Sequence, residues 1–168
     1  MSKSRRVQKT NAMRELERGG VPFESLEFEE PEVSGTSELG VQIANLLGYD
    51  PERGFKTLVC VTPSGGHVVC CIPAPAELDL KRAAAAAGEK SLSLMHVKDL
   101  EPTTGYVRGG CSPVGMKRRF PTLIDETAQL FDSIYISGGR RGLTLEVEPV
   151  ALARFVGATF ADISREGN

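Results

Sequence analysis

Apolar positions recur along the chain at two different spacings, and Gly and Pro punctuate the boundaries between them. Met13 and Leu16 share one helical face in a segment that starts near Thr10 or Asn11, both good caps, and stops at Gly19-Gly20. A short strand over Phe23 to Phe28 follows. EEPEVSGTS has breaker composition, after which Leu39, Ile43, Leu46 and Leu47 fall at helical spacing and Gly48 supplies the stop. Phe55 to Thr62 and His67 to Ile72 are rich in β-branched residues and flank PSGG, which predicts a hairpin of two central strands. Asp79 caps the alanine-rich helix LKRAAAAAGEK, ended by Gly88 and suited to close packing on a sheet. Ser91 to Leu94 predicts another strand and VKDLEPTTG a short helical turn. SIYIS and LTLEV form two strands joined by GGRRG. Pro149 starts a last helix, PVALARFV, that ends at Gly157, and ATFADI returns to the sheet.

Strands and helices do not alternate regularly and no internal repeat is visible. The predicted fold class is α+β: a mixed, largely antiparallel, curled or barrel-like sheet flanked by helices. With 168 residues, 40% hydrophobic and 25% charged, the chain has enough material for one core. Residues 10–168 therefore read as one domain, preceded by a frayed, basic and polar stretch from Met1 to Lys9.

Composition narrows the function classes. Lys plus Arg number 20 against 22 for Asp plus Glu, so the net charge of -2 gives no bulk attraction to nucleic acid, and any such contact must come from local patches. No apolar run reaches the roughly 18 residues of a membrane span, and MSKSRRVQKTNAMREL lacks the apolar stretch of a signal peptide. A cytoplasmic protein with no membrane partner is expected. Cys60, Cys70, Cys71 and Cys111 contain no CxxC pair and no histidine at ligand spacing, so they read as reduced thiols, with no metal or cofactor.

Three features carry candidate chemistry. In FKTLVCV, Phe55, Thr57, Val59 and Val61 share one face while Lys56, Leu58 and Cys60 share the other, which sets a cation on an apolar face. Two readings stand for Lys56: an edge lysine whose head reaches water, or the mouth of a pocket for an anionic or carbonyl group. GYVRGGCSPVG places Gly105, Gly109, Gly110 and Gly115 around Pro113, either as a tight turn or as a loop whose bare N–H groups hold a developing oxyanion. SGGRRG is a hairpin turn or an anion site with Arg140 or Arg141. Lys117, Arg118 and Arg119 follow the glycine-rich loop and are a solvated charge run or phosphate contacts, with Arg140 a fourth cation for that role. Cys111, Ser112 and Ser137 have little to activate them as nucleophiles, because His67 and His96 lie in no recognisable nucleophile motif.

TNAMREL, FKTLV, LDLKRAAAAAGEK, KDLEPTTGYVRGGCSPVGMKRRFPTLIDE and SIYISGGRRGLTLEVEP occur in the order and spacing of the YbaK/EbsC-type aminoacyl-tRNA deacylases. The resemblance runs from Thr10 to Ile163 and is greatest to the stand-alone branch that acts on Cys-tRNA(Pro); the same domain is inserted in many bacterial prolyl-tRNA synthetases. It implies an editing domain that removes cysteine from mischarged tRNA(Pro), with prolyl-tRNA synthetase as partner and no DNA. It also implies Lys56 as the catalytic residue. Phe28, Gly40, Thr57, Gly109, Gly110, Ser112, Pro113 and Ser137 correspond to substrate-binding positions. The implied mechanism is assisted by the substrate, whose own thiol attacks the ester. Hydrolysis of alanyl-tRNA by activated water, and a tRNA- or synthetase-binding adaptor without catalysis, are the alternatives.

Overall fold

Thr10 opens the first helix by accepting the Met13 N–H on its hydroxyl at 3.2 Å. The fold is seen in a computed structural model that describes residues 8–32 and 36–167. The expected frayed stretch falls, apart from Gln8 and Lys9, outside the described residues, as do residues 33–35 of the predicted breaker. Helix α1 (Asn11–Arg18) buries Ala12, Met13 and Leu16. It is followed by β1 (Phe23–Glu27) and α2 (Thr36–Leu47), and then a single 3-10 turn, Pro51–Arg53, capped by Asp50.

Strands β2 (Phe55–Val61) and β3 (His67–Pro73) pair antiparallel, with Phe55 opposite Pro73 and Val61 opposite His67. The chain continues through β4 (Ala76–Leu78), α3 (Leu80–Ala87), the two-residue β5 (Ser93–Leu94), α4 (Val97–Thr104) and β6 (Thr122–Asp125). It closes with β7 (Ile134–Ser137), β8 (Leu143–Val147), α5 (Pro149–Val156), β9 (Thr159–Ala161) and β10 (Ser164–Glu166).

The main sheet has the order β5-β2-β3-β6-β9, which makes β2 and β3 internal as the hydrophobic runs predict. It is mixed: β3 pairs parallel with β6, and β6 parallel with β9. A second sheet, β1-β8-β7, is antiparallel, and β4 pairs with β10 alone. A parallel bridge from Gly54 to Tyr135 links the two larger sheets into a curled surface that does not close.

Side-chain alternation on β2 divides the core as expected. Phe55 and Val59 point into the larger cluster with Val69, Cys71 and Ile124, covered by α1, α5 and the second sheet. Cys60 points into the other with Val68, Cys70 and Ile72, covered by Ala83 and Ala84 of α3. Among the described residues no helix is long and apolar enough to cross a membrane.

Candidate functional site

At the seam between the two sheets lies a cavity of about 100 Å³. Strand β2 supplies one wall from Phe55 to Leu58, α2 supplies Leu39, Gly40 and Ile43, and β7 supplies Tyr135, Ile136 and Ser137. Leu143 and Thr144 of β8, Phe28, Gly109 and Cys111 complete much of the lining. Such a seam is a natural place for a pocket, because among the described residues the two sheets are joined by a single bridge, Gly54 to Tyr135.

Gly40 lets α2 lie against the end of β3. A Cβ at this position would come within 2.7 Å of the Ala74 Cβ, far inside van der Waals contact. Gly109 has φ +87°, a conformation that favours glycine, and Gly110 packs so closely on the backbone of Arg140 that a Cβ would sit 2.9 Å from the Arg140 Cα. Arg141 Nε donates to the Arg108 carbonyl at 2.9 Å. The two glycine-rich segments singled out in the sequence are therefore clasped together, and Gly109, Cys111 and Ser137 of them line the cavity.

Lys56 lines the cavity and is half-buried. Burial holds its ammonium below the ordinary lysine value, while the charge of Glu77 works against that fall. Thr57, beside it, places its hydroxyl 3.7 Å from the Cys71 sulfur. Cys111 lines the cavity too, but burial, reinforced by Cys71, pushes its thiol up to about 12, so it stays protonated at neutral pH. All four cysteines are free and buried.

The structure thus brings together Phe28, Gly40, Lys56, Thr57, Gly109 and Ser137 around one cavity. Ser137 also accepts the Gly139 N–H at 3.2 Å, which shapes the turn that follows. Gly110 is not a lining residue and packs on the Arg140 backbone. Ser112 and Pro113 are not lining residues: Ser112 is fully buried and accepts the Val114 N–H at 3.3 Å, and Pro113 faces a separate groove with Lys117, Arg118 and Arg119. Arg140 stands apart from those three cations, 3.6 Å from the Glu27 carboxylate.

Sequence reasoning missed Tyr49 and Tyr135, whose stacked rings line the cavity with Thr144. Burial, with Tyr135 adding to it, raises the Tyr49 hydroxyl to about 12, against a hydrogen bond with Thr144 that lowers it. Tyr135 was legible only as a strand residue, and Tyr49 follows the helix-stopping Gly48 with no pattern around it.

A family model described as an aminoacyl-tRNA editing domain matches residues 35–155. A protein of Enterococcus faecalis (strain ATCC 700802 / V583) with the name "Putative Cys-tRNA(Pro)/Cys-tRNA(Cys) deacylase EbsC" is 46% identical over 164 residues, 98% of each chain. Among solved structures, the hypothetical protein APE2540 superposes with a TM-score of 0.83 at 25% identity, over 93% of this chain and 100% of that one. Another, described as "a putative trans-editing enzyme for prolyl tRNA synthetase", gives 0.77 at 23% identity, over 92% and 95%, which supports the fold. The matched span carries α2, β2, β7 and the glycine-rich loop that together enclose the cavity, and the chain belongs to the aminoacyl-tRNA editing domain family.

Proposed function

We propose that the protein is a trans-editing hydrolase that deacylates Cys-tRNA(Pro) in the cytoplasm, correcting charging errors of prolyl-tRNA synthetase. One observation carries the mechanistic part of this reading. Among the described residues, the cavity lining contains no carboxylate and no imidazole, and its one thiol, Cys111, is held protonated. A pocket so furnished offers water no carboxylate or imidazole base and offers the ester no thiolate of its own. The substrate supplies the nucleophile instead.

In this mechanism the sulfur of the esterified cysteine bonds to its own carbonyl carbon, and the bond from that carbon to the ribose oxygen breaks. The thiol proton ends on the departing ribose hydroxyl. The cyclic thioester then takes up water and opens to free cysteine. The protein holds thiol and carbonyl in contact, which replaces several kcal/mol of activation entropy, roughly the scale of intramolecular catalysis. Lys56, which lines the cavity, stabilises the carbonyl oxygen as it becomes negative. A prolyl pocket rejects a similar small residue by only about 1–3 kcal/mol per methylene, which is why a second hydrolytic check raises fidelity.

The test is release of amino acid from Cys-, Ala-, Ser- and Pro-tRNA(Pro) and from Cys-tRNA(Cys). Fast release of cysteine and slow release of alanine is expected. Alanine released as fast as cysteine replaces the thiol attack with an activated water, and no release from any substrate removes the hydrolase reading.

A further inference from the structure

Separate from the pocket, residues of α1, α5 and the glycine-rich loop line a groove of about 350 Å³. Its lining includes Asn11 and Glu15 from α1, Phe155 from α5, and the consecutive cations Lys117, Arg118 and Arg119. Its carboxylate, Glu15, is engaged by Arg18 at 3.1 Å.

Two of the three cations are held by carbonyl oxygens, and none of the three is neutralised among the described residues. Lys117 Nζ donates to the Pro102 carbonyl at 3.3 Å, and Arg119 donates to the Phe155 carbonyl at 3.3 Å while its guanidinium lies 6.0 Å from the centroid of the Phe155 ring. Among the described residues none of the three is within ion-pair distance of a carboxylate, whereas Arg18, Arg53, Arg82, Arg140, Arg141 and Arg165 all are. In a chain of net charge -2, that leaves a local positive groove whose charge is available to an outside anion.

The backbone beneath it is fixed. Tyr106 Oη donates to the Val114 carbonyl at 2.5 Å, the Lys117 N–H donates to the Thr104 carbonyl at 3.0 Å, and a Cβ on Gly115 would lie 2.9 Å from the Ala12 nitrogen. The same loop reaches the pocket at Gly109 and Cys111. Cys111 and Lys117 are six residues apart, so the two cavities are separated along the loop by at most about 20 Å.

We propose that this groove is a second subsite for RNA, which takes backbone phosphates of the strand whose 3' end enters the pocket. The inference rests on the aminoacyl-tRNA reading of the pocket. It assigns the cations to affinity for the nucleic acid and withholds from them any part in ester cleavage. An RNA backbone fits better than a small anion, because three cations side by side along an open groove match a row of phosphates rather than one.

The experiment titrates uncharged tRNA(Pro) by fluorescence anisotropy over a KCl series, with wild type, Arg118→Gln and the triple variant Lys117→Gln, Arg118→Gln, Arg119→Gln. Hydrolysis of 3'-O-cysteinyl-adenosine is measured in parallel. Each lost phosphate contact lowers the slope of log K against log salt by roughly 0.7 to 0.9. The triple variant is expected to lose about 2 to 3 from that slope and to bind tRNA at least about tenfold more weakly at low salt. Its rate on the adenosine ester stays at the wild-type value.

Arg118 makes no hydrogen bond or ion pair among the described residues, so its single variant tests the charge without disturbing the loop. An unchanged slope in both variants overturns the proposal and leaves the groove to a protein partner or to solvent. An equal loss on the adenosine ester also overturns it, because the cations then act through the pocket. If wild type cleaves no ester, the hydrolase reading fails, yet the tRNA titration still decides the groove.

Discussion

The phenol rings of Tyr49 and Tyr135 stack face to face, with centroids 3.7 Å apart and planes 5° from parallel. The guanidinium of Arg53 lies 5.1 Å from the Tyr135 ring centroid and donates to the Ser133 carbonyl through both Nε and Nη2 at 3.1 Å. Glu146 accepts from the Ser133 hydroxyl at 2.5 Å and from the Tyr135 hydroxyl at 3.1 Å. The seam between the sheets is thereby stiffened by a layered aromatic and ionic network, and the pocket inherits that stiffness. A small cavity discriminates by size only when its wall cannot yield.

Two substitutions separate the ring from its hydroxyl. Tyr135→Phe keeps the stack and removes one donor to Glu146, which costs about 1 kcal/mol of stability and leaves the preference for cysteine intact. Tyr49→Ala removes a stack worth about 0.5–1.5 kcal/mol beyond burial and enlarges the cavity. Its ratio of kcat/KM for cysteinyl- over prolyl-tRNA(Pro) is expected to fall by about tenfold or more, the scale of one methylene of pocket fit. An unchanged ratio shows that the wall does not set specificity.

Lys56 carries a stability prediction with a definite sign. Burial lowers its pKa in the folded chain, so between that lowered value and the ordinary 10.5 the unfolded chain binds more protons, and stability rises with pH across this window. Below the window both states are charged and the folded state carries the full desolvation cost. Lys56→Met is therefore expected to raise Tm at neutral pH while abolishing deacylation. Wild-type kcat/KM falls as pH rises through the lowered pKa, if the ammonium is the form that faces the ester. A Tm unchanged by Lys56→Met contradicts the desolvation argument, and retained activity contradicts the catalytic one.

How much of this was legible in the sequence differs by element. The hairpin from Phe55 to Ile72 and the helix capped by Asp79 were readable because period and punctuation agreed locally. β6 was not: all four residues from Thr122 to Asp125 are buried, so no alternation marks it, and its pairing is with β3 and β9, distant in sequence. β4 and β10 escaped for a similar reason, since three residues each carry no period and they pair only with one another. At the site, glycines and Lys56 were visible as departures from pattern. Tyr49 and Tyr135 were not, because a tyrosine in a strand or after a helix is ordinary and only their 3.7 Å stack makes them a wall.

Gly40 is predicted to be a packing requirement with a functional consequence. Gly40→Ala sets two methyl groups 2.7 Å apart, which forces α2 away from Ala74, at about 1–3 kcal/mol of overpacking, and moves Leu39 and Ile43 off the pocket. Deacylation is expected to fall at least about tenfold, the response to a displacement of order 1 Å near a reacting group. Because the clash is with a single methyl, adding Ala74→Gly should restore both Tm and rate. Failure of the double variant to recover would mean that Gly40 serves the substrate directly, through its bare backbone, and the helix position is incidental.

Cys111 distinguishes attack by the enzyme from attack by the substrate. The residue lines the cavity, yet burial and the neighbouring Cys71 keep its thiol near 12, and no imidazole is among the lining residues described to lower it. At neutral pH the thiolate fraction is then negligible, roughly one in 10⁵ for a pKa five units above the solution. Cys111→Ala removes a small buried side chain, so Tm drops by a few degrees, about 1 kcal/mol in a chain of this size, while cysteine release from Cys-tRNA(Pro) keeps its rate. Serinyl-tRNA(Pro) supplies the complementary arm, because its hydroxyl is a far weaker nucleophile than a thiol and should be released slowly by both proteins. Loss of turnover in Cys111→Ala with tRNA binding intact, together with an acyl-enzyme adduct on Cys111 detected by mass spectrometry in wild type, would replace the substrate-assisted route with a covalent one.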